Sequence, residues 1–196
     1  MGESSAAGSR EQVVLLDEDG NAAGVADKST THHANTPLHL AFSCYVFDRD
    51  GRFLLTRRAS HKRTWPGIWT NTCCGHPAPQ ESMADAVARR LKSELGLTAT
   101  EIELVLPRFR YSATMADGVR ENEMCPVYRA EVDGAPQPDP DEVDGTTWVP
   151  WPEFAAAPGD VSPWCRWQVE QLNALGPDPW RWPVAPDAEL PPACRP

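Results

Sequence analysis

Apolar residues along this chain fall in short runs separated by glycine, proline and acidic turns, the pattern of strands and hairpins. Residues 38–47 (LHLAFSCYVF) are apolar at odd and even positions alike, which predicts a central strand with both faces covered. Asp48-Arg49-Asp50-Gly51 supplies a turn, and 52–57 (RFLLTR) returns as the second arm of a hairpin. A second hairpin is predicted from 104–113, through Ala116-Asp117-Gly118, back along 119–132. The clearest helix is 82–95: Ser82 followed by Asp85 opens it and Gly96 closes it. Its apolar stripe is Met83, Ala86, Val87, Leu91 and Leu95. Arg90 and Glu94 fall on that same stripe, where apolar side chains belong. Either they form an i,i+4 ion pair at its edge, or this helix face looks into a polar site. Residues 162–175 read as a further helix carrying Trp164 and Trp167. Hairpins around a central helix predict an α+β fold.

Composition narrows the picture. At 196 residues, the chain holds one domain with a substantial core. Eighteen Lys+Arg against 28 Asp+Glu leave a net charge of −10, which argues against a nucleic-acid partner because phosphate backbones require a clustered positive surface. No run approaches the roughly 18 apolar residues of a membrane span. The first ten residues, MGESSAAGSR, lack a signal-peptide pattern, and Ala6 breaks the myristoylation motif that begins at Gly2. A cytoplasmic protein is expected, with no membrane association and no obligate protein partner evident. Six cysteines (Cys44, Cys73, Cys74, Cys125, Cys165, Cys194) with no C-x-x-C spacing are expected as reduced thiols, neither a disulfide framework nor a zinc knuckle. Seven of the 20 prolines lie in 176–196, predicting an irregular tail, and 134–145 reads as an acidic loop. The expected division is an extension over 1–27, a core domain over 28–175 and the Pro-rich tail over 176–196.

Four clusters carry candidate chemistry. In THHANTPLH, His32 and His39 can converge across a Pro-containing turn as neutral imidazole ligands, although surface histidines beside a strand are the simpler reading. WPGIWTNTCCGHP (65–77) has no packing periodicity and joins a strand to the helix, which favours a site. Its Cys74 and His76 put a thiol and an imidazole close together, but an i,i+2 pair in a loop seldom aligns as a nucleophilic dyad. Glu121 and Glu123 share one strand face, so they repel unless a cation or base lies between them; the alternative is a solvated edge strand. With His32, His39 and His76 they make a nitrogen and oxygen donor set. Finally, six of the 18 basic residues lie within 49–63 (Arg49, Arg52, Arg57, Arg58, Lys62, Arg63) against one acid, Asp50. That is either a charged edge strand or the seat of a small phosphorylated ligand. No phosphate-binding glycine loop is present, so side chains and metal would hold the phosphate.

The segments HHANTPLHLAFS, TRRASHKRTWPGIWTNTCCGHP, RRLKSELG, FRYSAT, ENEMCPV and Ser162-Pro163-Trp164, spanning about 28–165, resemble the type 1, metal-dependent isopentenyl-diphosphate delta-isomerases, a divergent Nudix-fold family. The general Nudix box also lies over this region: Gly75, Glu81, Arg89, Leu91, Glu94, Gly96 and Leu97 fit it. Arg90 and Ser93 stand where Nudix hydrolases carry water-activating glutamates, which weakens the alternative of a diphosphate hydrolase. The resemblance implies a Nudix-like α/β/α sandwich with mixed sheet and central helix, and interconversion of isopentenyl and dimethylallyl diphosphate by proton addition and removal. It implies Cys74 and Glu123 as catalytic groups and Tyr111 as a supporting hydroxyl. A first ion (Mn²⁺, Mg²⁺ or Zn²⁺) would lie on His32, His39, His76, Glu121 and Glu123. A second, Mg²⁺ arriving with the substrate diphosphate, would use Glu94 and the Cys74 carbonyl. Lys28, Arg58, Lys62 and Arg90 would hold the diphosphate and Trp164 would cover the site. No flavin is implied.

Overall fold

The structure, a computed structural model, describes residues 11–195; Gly2 and Ala6, on which the myristoylation reading turned, lie outside them. In chain order the elements are β1 (Gln12–Leu16), β2 (Ala22–Asp27), α1 (Lys28–Thr31), β3 (His39–Leu40), β4 (Phe42–Phe47), β5 (Arg52–Arg58), β6 (Trp69–Thr70) and β7 (Cys73–Gly75). They continue with α2 (Met83–Leu95), β8 (Ala99–Leu106), β9 (Arg110–Thr114), β10 (Arg120–Met124), β11 (Val127–Val132), β12 (Val143–Pro150), α3 (Trp151–Ala156) and α4 (Pro163–Leu175). One sheet runs β2-β1-β3-β10-β9 and the other β12-β5-β4-β11-β8, with β6 added beside β5 and β7 beside β4. Both sheets are mixed: β3 with β10 and β4 with β11 are parallel, the other strand pairs antiparallel.

Strand β4 shows why its sequence is apolar at every position. Phe42, Cys44 and Val46 pack with Val87, Leu91 and Leu95 of α2 on one face. Tyr45 and Phe47 pack with Trp151, Phe154, Trp164 and Leu172 of α3 and α4 on the other. Helices therefore cover both faces of the second sheet, the α/β/α arrangement expected. The helix signals hold as well. Ser82 Oγ accepts from the Asp85 N–H and Gly96 closes α2 at φ 65°, where a side chain would be strained. Ser162 caps α4 by accepting from the Cys165 N–H.

The predicted hairpins need correction. The 38–47 run is two strands, broken at Ala41, with β3 in one sheet and β4 in the other. The 119–132 run breaks beside it at Cys125-Pro126, where proline has no N–H for a ladder. The Ala41 N–H donates to Met124 O and the Ser43 N–H to Pro126 O, so the two segments cross between sheets side by side. The 104–113 arm likewise divides at Pro107 into β8 and β9. Strands β4 and β5 meet only at Phe47 and Phe53; β7 takes the place beside β4, while β5 pairs along its length with β12.

Residues 12–27 form a hairpin whose β1 pairs with β3, and 176–195 run irregularly through three 3₁₀ turns. That final segment buries Trp182 and Leu190. Arg129 clamps it: its guanidinium donates to Pro179 O, pairs with Glu103 and lies 5.4 Å from the Trp180 ring centre. Arg129→Met removes this buried cation and is expected to cost about 2 kcal/mol, below the usual 3–5 for a broken buried pair because Glu103 keeps some water. A urea midpoint equal to that of the wild type would show that the clamp contributes nothing. All six cysteines are free thiols, and no helix of the described residues is long and apolar enough to cross a membrane.

Candidate active site

Four side chains that are distant in sequence meet at the junction of the two sheets. His32 follows α1, His39 lies on β3, His76 follows β7 and Glu123 lies on β10. One ligand atom from each falls within 4.8 Å of all the others. Parallel pairing of β3 with β10 sets His39 opposite Glu123, and the imidazole centres are 5.1–5.8 Å apart.

The donor chemistry of this group calls for a cation. His39 Nδ1 lies 2.9 Å from Pro37 O, which only accepts, so the Nδ1 carries the hydrogen. The neutral ring then turns the lone pair of Nε2 toward Glu123 Oε1 at 3.4 Å, an acceptor against an acceptor. Although burial opposes a charge on His39, the Glu123 carboxylate beside Nε2 raises the imidazole's proton affinity, so a cation is favoured between the two. Burial pushes His32 and His76 down to about 4, so both are neutral ligands near pH 7. Burial alone would raise the Glu123 carboxyl, but hydrogen bonds with His39 and His76 hold it well below the usual carboxylate range. Three imidazoles, two of them held neutral by burial and the third neutral once a metal replaces the proton on His39, and one carboxylate suit a divalent metal ion.

Glu121, Glu94 and Cys74, also expected near metal, stand outside this group of four. Glu121 joins it indirectly. The Tyr111 hydroxyl lies 2.7 Å from Glu121 Oε2 and 2.8 Å from Glu123 Oε2. Burial and the adjacent Glu123 charge raise the Glu121 carboxyl. The Tyr111 hydroxyl, the donor, thus bridges the two carboxyl groups.

All of these groups except His39 line a cavity of about 190 Å³ that also receives Cys74, Trp164, Lys28, Arg58, Lys62, Arg90 and Glu94. Cys74 comes from β7 in the second sheet, whereas Glu123 reaches the same cavity from the first. Gly75 beside it allows β7 to lie against α2: a Cβ there would come within 3.0 Å of both Arg90 Cγ and Phe42 Cζ. Burial pushes the Cys74 thiol up to about 11, so it retains its proton near neutrality. Trp164 lies face-tilted 5.7 Å from Tyr111 and edge-on 5.4 Å from Trp65, which adopts a left-handed backbone at φ 43°.

The cationic end is held by carboxylates. Lys28 pairs with Glu11 at 2.5 Å, Lys62 with Glu142, and Arg90 with Glu94 and Glu142. Arg58 donates to Thr64 O. Both readings of the helix stripe thus hold at once, because the Arg90–Glu94 pair is buried and also faces the cavity. The basic run divides: Arg49 and Arg52 pair with Asp133 and Asp48, Arg57 lies over Trp69, and Arg58, Lys62 and Arg63 reach the cavity. Sequence reasoning did not single out Asn71, Thr64 or Glu142, all in the cavity wall. Asn71 lay within the loop already marked as a site, but nothing in its local pattern distinguished it from its neighbours.

The NUDIX domain family matches residues 37–172. The isopentenyl-diphosphate Delta-isomerase of Saccharopolyspora erythraea is 59% identical over 187 residues, 93% of this chain and 96% of that protein. The Rhizobium rhizogenes protein of the same name is 49% identical over 192 residues, 95% of this chain and 92% of the relative. The crystal structure of DR0079 from Deinococcus radiodurans superposes with a TM-score of 0.64 at 16% identity, over 82% of this chain and 98% of that one, a likeness of fold. The metal-suited group at the sheet junction, a thiol and a carboxylate in one cavity, and similarities over nearly the whole chain agree: the chain belongs to the isopentenyl-diphosphate Delta-isomerases, built on a NUDIX domain.

Proposed function

We propose that this protein interconverts isopentenyl and dimethylallyl diphosphate by adding a proton to one carbon of the substrate and removing a different proton from another. The observation that carries this reading is a thiol and a carboxylate brought from different sheets into one cavity whose other end is cationic. An unactivated alkene is a very weak base, so a positioned acid and a positioned base are both required. Cys74, whose thiol keeps its proton near neutrality, takes the acid role and Glu123 the base role. Protonation of the terminal CH₂ leaves a tertiary cation on the adjacent carbon, and loss of a proton from the CH₂ on the diphosphate side of that cation sets the new double bond. Tyr111 holds the Glu123 carboxylate from the far side. Lys28, Lys62 and Arg90 bind the diphosphate by displacing their carboxylate partners, Arg58 joins them from Thr64, and this binding orients the small alkene.

His32, His39, His76 and Glu123, with Glu121 alongside, would hold Mn²⁺, Mg²⁺ or Zn²⁺. A Mg²⁺ entering with the diphosphate would use Glu94 and the Cys74 carbonyl. Such ions supply positive charge that neutralises the diphosphate and lowers the proton affinity of the carboxylate.

Trp164 presents its ring to the same cavity, where an indole face stabilises a desolvated cation by about 2 kcal/mol. Trp164→Ala should therefore lower kcat by roughly 30-fold while diphosphate affinity changes far less. Equal losses in kcat and affinity would remove that role.

Proton NMR with isopentenyl diphosphate and Mg²⁺ in D₂O tests the function. Dimethylallyl product carrying deuterium supports it. Phosphate release with the alkene unchanged would assign the chain to the diphosphate hydrolases instead.

A further inference from the structure

We infer that Asn71 is the positioning residue of this site, its one amide oxygen aiming both the Cys74 thiol and the Trp164 ring. The inference rests on the reading of Cys74 as the proton donor. The side chain of Asn71 is fully buried and its orientation is fixed by its surroundings. The Asn71 Nδ2 lies 2.9 Å from Cys73 O and 3.3 Å from Cys44 O, and main-chain carbonyls accept only, so the NH₂ end faces them. Oδ1 therefore points the other way, 3.1 Å from the Trp164 indole nitrogen, a group that can only donate. The same oxygen lies 3.2 Å from Cys74 Sγ. Since Oδ1 has no hydrogen, the hydrogen in that contact belongs to the thiol.

A second wall holds the sulfur from behind. Ser43 Oγ lies 3.4 Å from Cys74 Sγ and accepts from Gln168 Nε2 at 2.9 Å, and Gln168 Oε1 in turn accepts from the Tyr45 hydroxyl at 3.0 Å. All three of these residues are fully buried. The sulfur is thus set between an acceptor, Asn71, and a hydroxyl, Ser43, that can donate to it once its own hydrogen has gone to carbon. One amide ties a β7 residue to an α4 residue, so the acid and the aromatic cover keep a common frame. Thr70 Oγ1, also 3.0 Å from Oδ1, has a second partner in Ser162 Oγ at 2.7 Å and does not depend on the amide.

The test uses Asn71→Leu, which keeps size and removes the polar atoms, and Asn71→Asp, which keeps the acceptor oxygen. Two readouts are needed: steady-state kinetics, and the infrared S–H stretching band of Cys74, isolated by subtracting the spectrum of the same protein carrying Cys74→Ala. In Asn71→Leu the band is expected to move to higher frequency as the hydrogen bond is lost, with kcat down about 100-fold and KM within about threefold. In Asn71→Asp the band should stay at or below the wild-type frequency, with kcat within about tenfold of wild type. An unmoved band in folded Asn71→Leu, or kcat and KM failing together, overturns the inference. Should Asn71→Leu not fold, Asn71→Asp decides: a band above the wild-type frequency or a larger loss of kcat overturns it. The infrared result does not depend on which reaction the protein catalyses. A wild-type protein that lacks isomerase activity yet shows the expected band shifts would therefore refute the functional reading and leave the hydrogen-bond geometry intact.

Discussion

Cys74→Ala is expected to lower turnover about 10⁴-fold, the upper end of what a positioned acid or base contributes, while KM for isopentenyl diphosphate stays within about threefold. The large effect follows from the substrate: an alkene has no lone pair to attract a proton from water, so a missing donor is not replaced by solvent. The small effect on KM follows from the structure, because Lys28, Arg58, Lys62 and Arg90 line the cavity from other elements, whereas the sulfur's hydrogen bonds go to Asn71 and Ser43. Stability should fall by only about 1 kcal/mol, since the thiol's polar contacts are weak ones to Asn71 and Ser43 at 3.2 and 3.4 Å. Initial rates with the purified variant, beside its melting temperature, check this directly. Turnover near the wild-type level would take the thiol out of the mechanism.

Glu123→Gln should do two things where Cys74→Ala does one. Glu123 Oε1 lies 3.1 Å from His76 Nε2 and 3.4 Å from His39 Nε2, while Oε2 accepts from Tyr111 at 2.8 Å. An amide of the same shape keeps the packing but has no negative charge for a cation and no site that can take up a proton. Turnover is expected to fall by at least about 10³-fold. Metal retained after gel filtration should fall as well, with affinity reduced at least 10- to 100-fold, the loss common even for residues one step removed from a metal. Elemental analysis of wild type, Cys74→Ala and Glu123→Gln side by side separates the roles. The thiol variant should keep its metal and the glutamine variant should lose it. Full metal content in Glu123→Gln would show that the three histidines suffice and that Glu123 acts only on protons.

Some of this architecture is local and so is written in the sequence. The α2 boundaries follow from Ser82 and Gly96, each acting within a few residues of itself. The uninterrupted apolar run of β4 announces a strand covered on both faces, because alternate side chains must both be buried. Arg90 and Glu94 on an apolar stripe mark a polar cavity, since a charged pair is stable there only with partners. Spacing also makes Glu121 and Glu123 neighbours on one strand face.

The tertiary structure decided what spacing could not. Whether 38–47 was one strand or two depended on Ala41 and Pro126 passing between sheets side by side, a pairing of segments more than 80 residues apart. That crossing brings His39 beside Glu123 and leaves Cys74 on the opposite sheet. Period two treats Glu121 and Glu123 as equals, but the fold gives one of them two imidazoles and ties the other to it through Tyr111. Asn71 gained its place only when α4 delivered Trp164 to the amide. Periodicity, caps and turns are set by contacts within a few residues, whereas the proton states and ligand geometry of this site are set by strand register and sheet crossing, which only the folded chain determines.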